Sequence, residues 1–152
     1  MFTKRINKYV SRLVFKYCEE NFLEQIDSNK QVALDDIVLR NRNCHYNSYH
    51  IMLTRNMPQV KVICWSNDNA CVHYINKTLK GNYSDITLGL AGWQYYTYYI
   101  VEELLIDNPN GTYRNMGKEL YQFKYDILKK ISPNKYVFKF LKWYNKAIDE
   151  II

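Results

Sequence analysis

Ala70-Cys71-Val72-His73-Tyr74-Ile75-Asn76 and Asn82-Tyr83-Ser84-Asp85-Ile86-Thr87-Leu88, joined by Lys77-Thr78-Leu79-Lys80-Gly81, form the stretch whose reading decides the fold. Both arms are rich in β-branched and aromatic residues, and the five residues between them end on glycine, the pattern of a hairpin. With Lys77 to Gly81 as the loop, Asn76 pairs with Asn82, and stepping outward puts His73 directly opposite Asp85. Opposite residues on antiparallel strands point to one face with Cβ atoms about 5 Å apart. An imidazole–carboxylate hydrogen bond lies within that reach. Taken singly, a half-buried strand histidine and a strand-end carboxylate are the commoner readings. An Asp inside a strand, where Asp is depleted, across from a His is harder to dismiss.

Working outward, Val60 to Trp65 has strand character and ends at the turn Ser66-Asn67-Asp68-Asn69. Upstream, the stretch Asn43-Cys44-His45-Tyr46-Asn47-Ser48 follows a polar loop, Arg40 to Asn43, and opens a helix from Cys44 to about Arg55, stopped by Met57-Pro58. Cys44 therefore sits in the first turn of a helix. Unpaired backbone N–H groups and the positive end of the helix dipole favour an anion there. The thiolate is the nucleophile of cysteine chemistry, and a helix N-terminus lowers a thiol pKa. The competing reading is a small buried residue, as most free cysteines are. His45 projects about 100° round the helix from Cys44, so it reads, like His50, as a packing or surface residue.

The flanks read as helices. Phe2, Ile6, Tyr9, Val10, Leu13, Val14 and Tyr17 form one stripe of a helix predicted over 3–26, with Lys4, Lys8, Arg12 and Lys16 on another face. Asp35 is placed to cap a short turn through Leu39. Asn82 to Leu88 reads as a third strand ended by Gly89, and Gly92 to Ile106 leans to helix despite its aromatic run. Asn108-Pro109-Asn110-Gly111 is a turn. Met116, Leu120, Phe123, Ile127 and Ile131 share one helical stripe; Val137, Phe140, Leu141, Tyr144, Ile148 and Ile151 share the next, with Ser132-Pro133 read as its N-cap and first residue.

The 152 residues bound one domain with its own core. Apolar residues at 47% and aromatics at 16% exclude a disordered chain. No uncharged run approaches the roughly 20 residues of a membrane span, and the charged start does not read as a secretory signal. Four cysteines then fit a reducing cytosol better than a disulfide framework. The net charge of +6 is uneven: residues 113–152 carry nine basic and four acidic groups, while 31–112 carry six and seven. A solvated helix face is the simpler account of the basic end. Abundant Lys, Asn, Ile and Tyr suggests an AT-rich genome such as many phages have, which would place the protein in a host cytoplasm.

A nucleophilic Cys at a helix start, then His on one strand and Asp on the next, resembles the papain-like fold. The order and spacing are most similar to transglutaminase-like proteins, through Val72-His73-Tyr74-Ile75-Asn76 and Gly81-Asn82-Tyr83-Ser84-Asp85-Ile86-Thr87, the latter like the family's Gly–aromatic–x–Asp–x–Thr strand. The likeness spans about residues 40–90, between helical flanks at 1–30 and 113–152. That family often places a Trp near its Cys; none lies near Cys44 in sequence. The resemblance implies an α+β domain, with a small antiparallel sheet packed on the Cys-bearing helix. It implies a thiol-dependent hydrolase or acyltransferase, such as a peptidase, deamidase or transglutaminase, acting on an amide of a protein or peptide. Cys44, His73 and Asp85 would be the catalytic triad, with Asn41 or Asn43 assisting the oxyanion.

Two other readings compete. Zinc would draw on Cys44, His45, Cys64 and Cys71, but no C-x₂-C pair is present, and no metal or other cofactor is expected. A small basic binding protein on an inactive fold would use Lys118, Lys124, Lys129, Lys130, Lys135, Lys139 and Lys142 with Tyr121, Tyr125, Tyr136 and Trp143, the ingredients of single-strand nucleic-acid binding.

Overall fold

The computed structural model describes residues 2–34, 43–104 and 116–149, with 116–121 and 145–149 described by their backbone. The turn from Asp35, the loop through Asn41 and the turn Asn108 to Gly111 lie outside the described residues. Among those described are five α-helices and five strands, an α+β arrangement around an antiparallel sheet. In chain order they are α1 (Phe2–Glu20), β1 (Glu24–Gln25), α2 (Cys44–Arg55), β2 (Gln59–Trp65), β3 (Ala70–Lys77), β4 (Tyr83–Ser84), α3 (Gly89–Tyr95), β5 (Thr97–Leu104), α4 (Met116–Ile131) and α5 (Lys135–Asp149). The sheet order is β1-β5-β2-β3-β4.

Strand alternation divides the core between the two faces of the sheet. Ile63, Val72 and Tyr99 face one way and meet Val14 and Tyr17 of α1, Ile127, Leu128 and Ile131 of α4, and Leu141 of α5. Val60, Val62, Cys64, Ile75 and Tyr98 face the other and pack with Ile26, Tyr83 and Trp93. Each fully buried Val or Ile on these faces contributes about 1.5–3 kcal/mol. The polar face of α1 is as expected, with Lys4, Lys8, Arg12 and Lys16 all exposed; of the apolar stripe Ile6, Val14 and Tyr17 are buried and Val10 and Leu13 half-buried, but Phe2 and Tyr9 are exposed. Trp65 locks that helix to the sheet, donating Nε1–H to the Ser11 carbonyl at 3.0 Å and meeting Phe15 with ring centroids 4.8 Å apart.

Four local expectations are corrected. The first helix ends at Glu20 rather than continuing to residue 26. Phe22 takes φ 52°, and Leu23 N–H and Phe22 N–H donate to the carbonyls of Cys18 and Glu19, a Schellman stop with a bulky residue at its left-handed position. The third strand is only Tyr83–Ser84, because Asp85 starts a turn. Gly92 to Ile106 is not one helix: the short α3 precedes β5, whose aromatic and β-branched residues pair with β2 along its length. The N-cap of α5 is Asn134, whose Oδ1 accepts from the N–H groups of Tyr136 and Val137; Ser132 instead bonds back to the end of α4.

Phe22 is 93% exposed, so its side chain contributes little packing while its backbone holds a conformation unfavourable for an L-residue. Phe22→Gly is expected to raise stability by about 0.5–1 kcal/mol, read as a higher urea midpoint with unchanged slope.

Candidate active site

The hairpin that seeds the site is two residues out of the expected register. Asn76 pairs with Ser84 and Lys77 with Tyr83, and the ladder stops there. A slip of two keeps every side chain on its face, whereas a slip of one would reverse them all. Asp85 therefore still reaches His73: its Oδ2 lies 2.9 Å from His73 Nε2. The loop closes more tightly than a five-residue connection, with Gly81 at φ 82° and Thr78 N–H bonded to the Asn82 carbonyl at 2.7 Å.

Asp85 is fully partnered. Oδ1 accepts from the N–H groups of Thr87 and Leu88 at 3.0 and 2.9 Å, and Oδ2 accepts from Tyr98 Oη–H at 2.6 Å as well as from His73. Burial alone would raise its pKa, but the His73 charge, these hydrogen bonds and Tyr98 hold it below the ordinary carboxylate value. Tyr98, raised chiefly by burial, stays protonated and remains a donor. Trp93 backs Tyr98 with ring centroids 4.2 Å apart. Gly92 is required beside them: a Cβ there would overlap the Tyr98 hydroxyl and sit 3.0 Å from Asp85 Oδ2.

The early end of β4 leaves the outer edge of β3 open at residues 71–75, and the start of α2 occupies it. The Tyr74 backbone N–H on that edge lowers the Cys44 thiol. Three buried side-chain amides hold α2 in place. Gln59 and Asn76, cross-strand partners, donate to the carbonyls of His45 at 3.1 Å and Ser48 at 2.8 Å; Gln59 also donates to Ser48 Oγ at 2.6 Å. Asn47 donates to Thr87 Oγ1 at 3.1 Å, tying the helix to the Asp85 turn. None of these carried a motif. Their one signal in the sequence is a polar amide inside an apolar strand or helix face.

Cys44 is thus brought beside His73, and the two side chains shift each other's titration, the thiol down and the imidazole up. Asp85 holds Nε2, which leaves Nδ1 to meet the thiol. His45, read from sequence as a packing or surface residue, is half-buried and also lowers the Cys44 thiol. Its Nδ1 is buried without a hydrogen-bond partner among the described residues. Burial pushes the Cys44 thiol up, but His45, His73 and the Tyr74 N–H outweigh it, and the thiol falls to about 6. Burial lowers His73, but Asp85 and Cys44 raise it well above its ordinary value of 6.5. Asn43 is exposed at the head of α2, and Asn41 lies outside the described residues.

Comparison with protein-family models, curated proteins and solved structures finds no match. The site stands on its geometry. Among the described residues no three His, Cys, Asp or Glu side chains gather as metal ligands, and no helix is long and apolar enough to cross a membrane.

The ion pair sets a pH window. Asp85 is depressed, so its contribution to stability is present above its ordinary 3.8 and lost as pH falls through the lower folded value. His73 is raised, so its contribution is full below 6.5 and lost as pH rises through the higher folded value. The stability difference between wild type and Asp85→Asn is expected to be largest between 3.8 and 6.5 and to shrink on both sides, measured by urea unfolding across pH.

Proposed function

We propose that the protein is a thiol-dependent hydrolase or acyltransferase that acts on an amide of a protein or peptide, related to the papain-like and transglutaminase-like enzymes. One observation carries this reading: a buried thiol in the first turn of a helix lies beside an imidazole that lowers its pKa, and that imidazole's Nε2 is 2.9 Å from a buried carboxylate. The sequence order of helix-borne Cys, strand His and following Asp supports the kinship, as does the antiparallel sheet beside the helix.

The chemistry follows from the protonation states. His73 takes the Cys44 proton, and Asp85 fixes the tautomer and stabilises the imidazolium. The Cys44 thiolate attacks the amide carbon, and the π electrons move to oxygen. The N–H groups at the head of α2, with the adjoining Asn43 side chain, face the developing oxyanion. His73 returns its proton to the leaving amine, the C–N bond breaks, and a Cys44 thioester remains. Water attacking that thioester gives hydrolysis or deamidation; a primary amine gives transfer. In either case His73 accepts the proton of the incoming nucleophile.

A second reading rests on the exposed aromatics Tyr136, Phe140 and Trp143 on α5, interleaved with exposed Lys135, Lys139 and Lys142. Aromatic rings with neighbouring cations suit single-stranded nucleic acid. That surface would work without Cys44, so loss of function on Cys44→Ser separates the two readings.

The test is the rate at which iodoacetamide labels each cysteine as pH varies. Cys44 is expected to label fastest, along a titration centred near 6 rather than 9.0. His73→Ala should slow it about ten-fold or more at neutral pH, and His45→Ala by a smaller factor, as expected when a pKa moves by one unit or more. Labelling of Cys44 no faster than Cys18, which burial lifts to about 12, would remove the catalytic reading.

A further inference from the structure

Two cysteines outside the triad face each other. Cys64 on β2 and Cys71 on β3 are direct cross-strand partners in an uninterrupted ladder that runs from Gln59↔Asn76 to Trp65↔Ala70. Directly opposed residues of antiparallel strands have Cα atoms about 4.5–5.5 Å apart and side chains on one face. A disulfide spans Cα separations of about 4.4–6.8 Å. The two thiols perturb each other's titration, and both are free. The next pair on the same face is Val62↔His73.

We propose that Cys64 and Cys71 are a redox-active dithiol that peroxide closes to a cross-strand disulfide, locking β2 to β3 beside His73. The two thiols differ in the way such a pair needs. Cys71 is half-buried and reachable, whereas Cys64 is fully buried. The hydrogen bond from Cys64 lowers the Cys71 thiol, and burial raises Cys64. The Cys71 thiolate attacks one peroxide oxygen; the O–O bond breaks, hydroxide leaves, and Cys71 becomes a sulfenic acid. The Cys64 sulfur then attacks the Cys71 sulfur, the S–O bond breaks, and the oxygen departs as water with the Cys64 proton. Two thiols have lost two hydrogens and one peroxide has become two waters. Cys18 packs among residues of the opposite sheet face, whereas Cys44 lies near enough to raise the Cys71 thiol and is the competing partner that the peptide map separates from Cys64.

The experiment uses reduced wild-type protein exposed to a small excess of hydrogen peroxide, capped with N-ethylmaleimide and analysed by intact mass and peptide mapping. The expected result is loss of two hydrogens, a linked peptide pair joining Cys64 to Cys71, reversal by dithiothreitol, and a melting temperature higher by about 5 °C. Cys71→Ser should abolish the link; the wild-type map decides the matter if that variant does not fold. A Cys71–Cys44 link, oxidation that stops at Cys71 sulfinic acid while Cys64 still takes the cap, or two capped thiols would overturn the proposal. So would a link that leaves the melting temperature unchanged. None of these outcomes depends on Cys44 being a nucleophile.

Discussion

A carboxylate buried at 3% exposure must be satisfied on every side, and Asp85 is. Four donors converge on it: two backbone N–H groups of its own turn, the Tyr98 hydroxyl and the His73 ring. Most of the site can be derived from that one requirement. The backbone donors force the chain to turn at residues 86–88, which ends β4 after two residues. The short strand exposes the edge of β3, and the head of α2 takes it. Tyr98 must stand under the carboxylate, which requires β5 beside β2 and a glycine at position 92. His73 is fixed through Nε2 and presents its remaining nitrogen to the thiol.

The positioning of α2 is a separate problem, and side-chain amides solve it. Gln59, Asn76 and Asn47 are fully buried, and each donates to a group on α2 or on the Asp85 turn. A buried amide left unpaired is expensive, on the order of 1–3 kcal/mol, so these contacts fix the seating of the helix as well as its orientation. Apolar packing on the α2 side is lighter, with Ile51 and Met57 against Ile86. Polar stitching suits a helix whose first turn must be placed for chemistry.

Periodicity and local residue chemistry made part of this legible. The polar face of α1, the boundaries of α2, the β2–β3 pair with its Ser66–Asn69 turn, and the shared face of His73 and Asp85 follow from spacing, whereas Cys44 joins that pair only through a resemblance in residue order. The hairpin register did not, because side chains alternate with period two and a shift of two residues leaves the same pattern. The β4 error has a physical source too. The cross-strand partner of Asp85 shows in the strand pattern, while its capacity to bind its own backbone two and three residues on ends the strand and leaves no mark in that pattern. β5 was hidden by Glu102-Glu103, which suit a helix but here lie outside, pairing with Lys61 at 3.0 Å and Lys77 at 2.9 Å. Tyr98 and the three amides enter through tertiary contacts that no local pattern encodes.

His73, held by Asp85 at 2.9 Å and raised well above its ordinary value, sets the charge state of the whole site. The most direct measurement is proton NMR of a protein labelled with ¹⁵N at histidine. The expected result is a strongly downfield His73 Nε2–H resonance, protected from exchange, on a ring protonated at both nitrogens through neutral pH, which moves upfield in Asp85→Asn. A His73 ring that titrates near its ordinary 6.5, with a rapidly exchanging Nε2–H unaffected by Asp85→Asn, would contradict it.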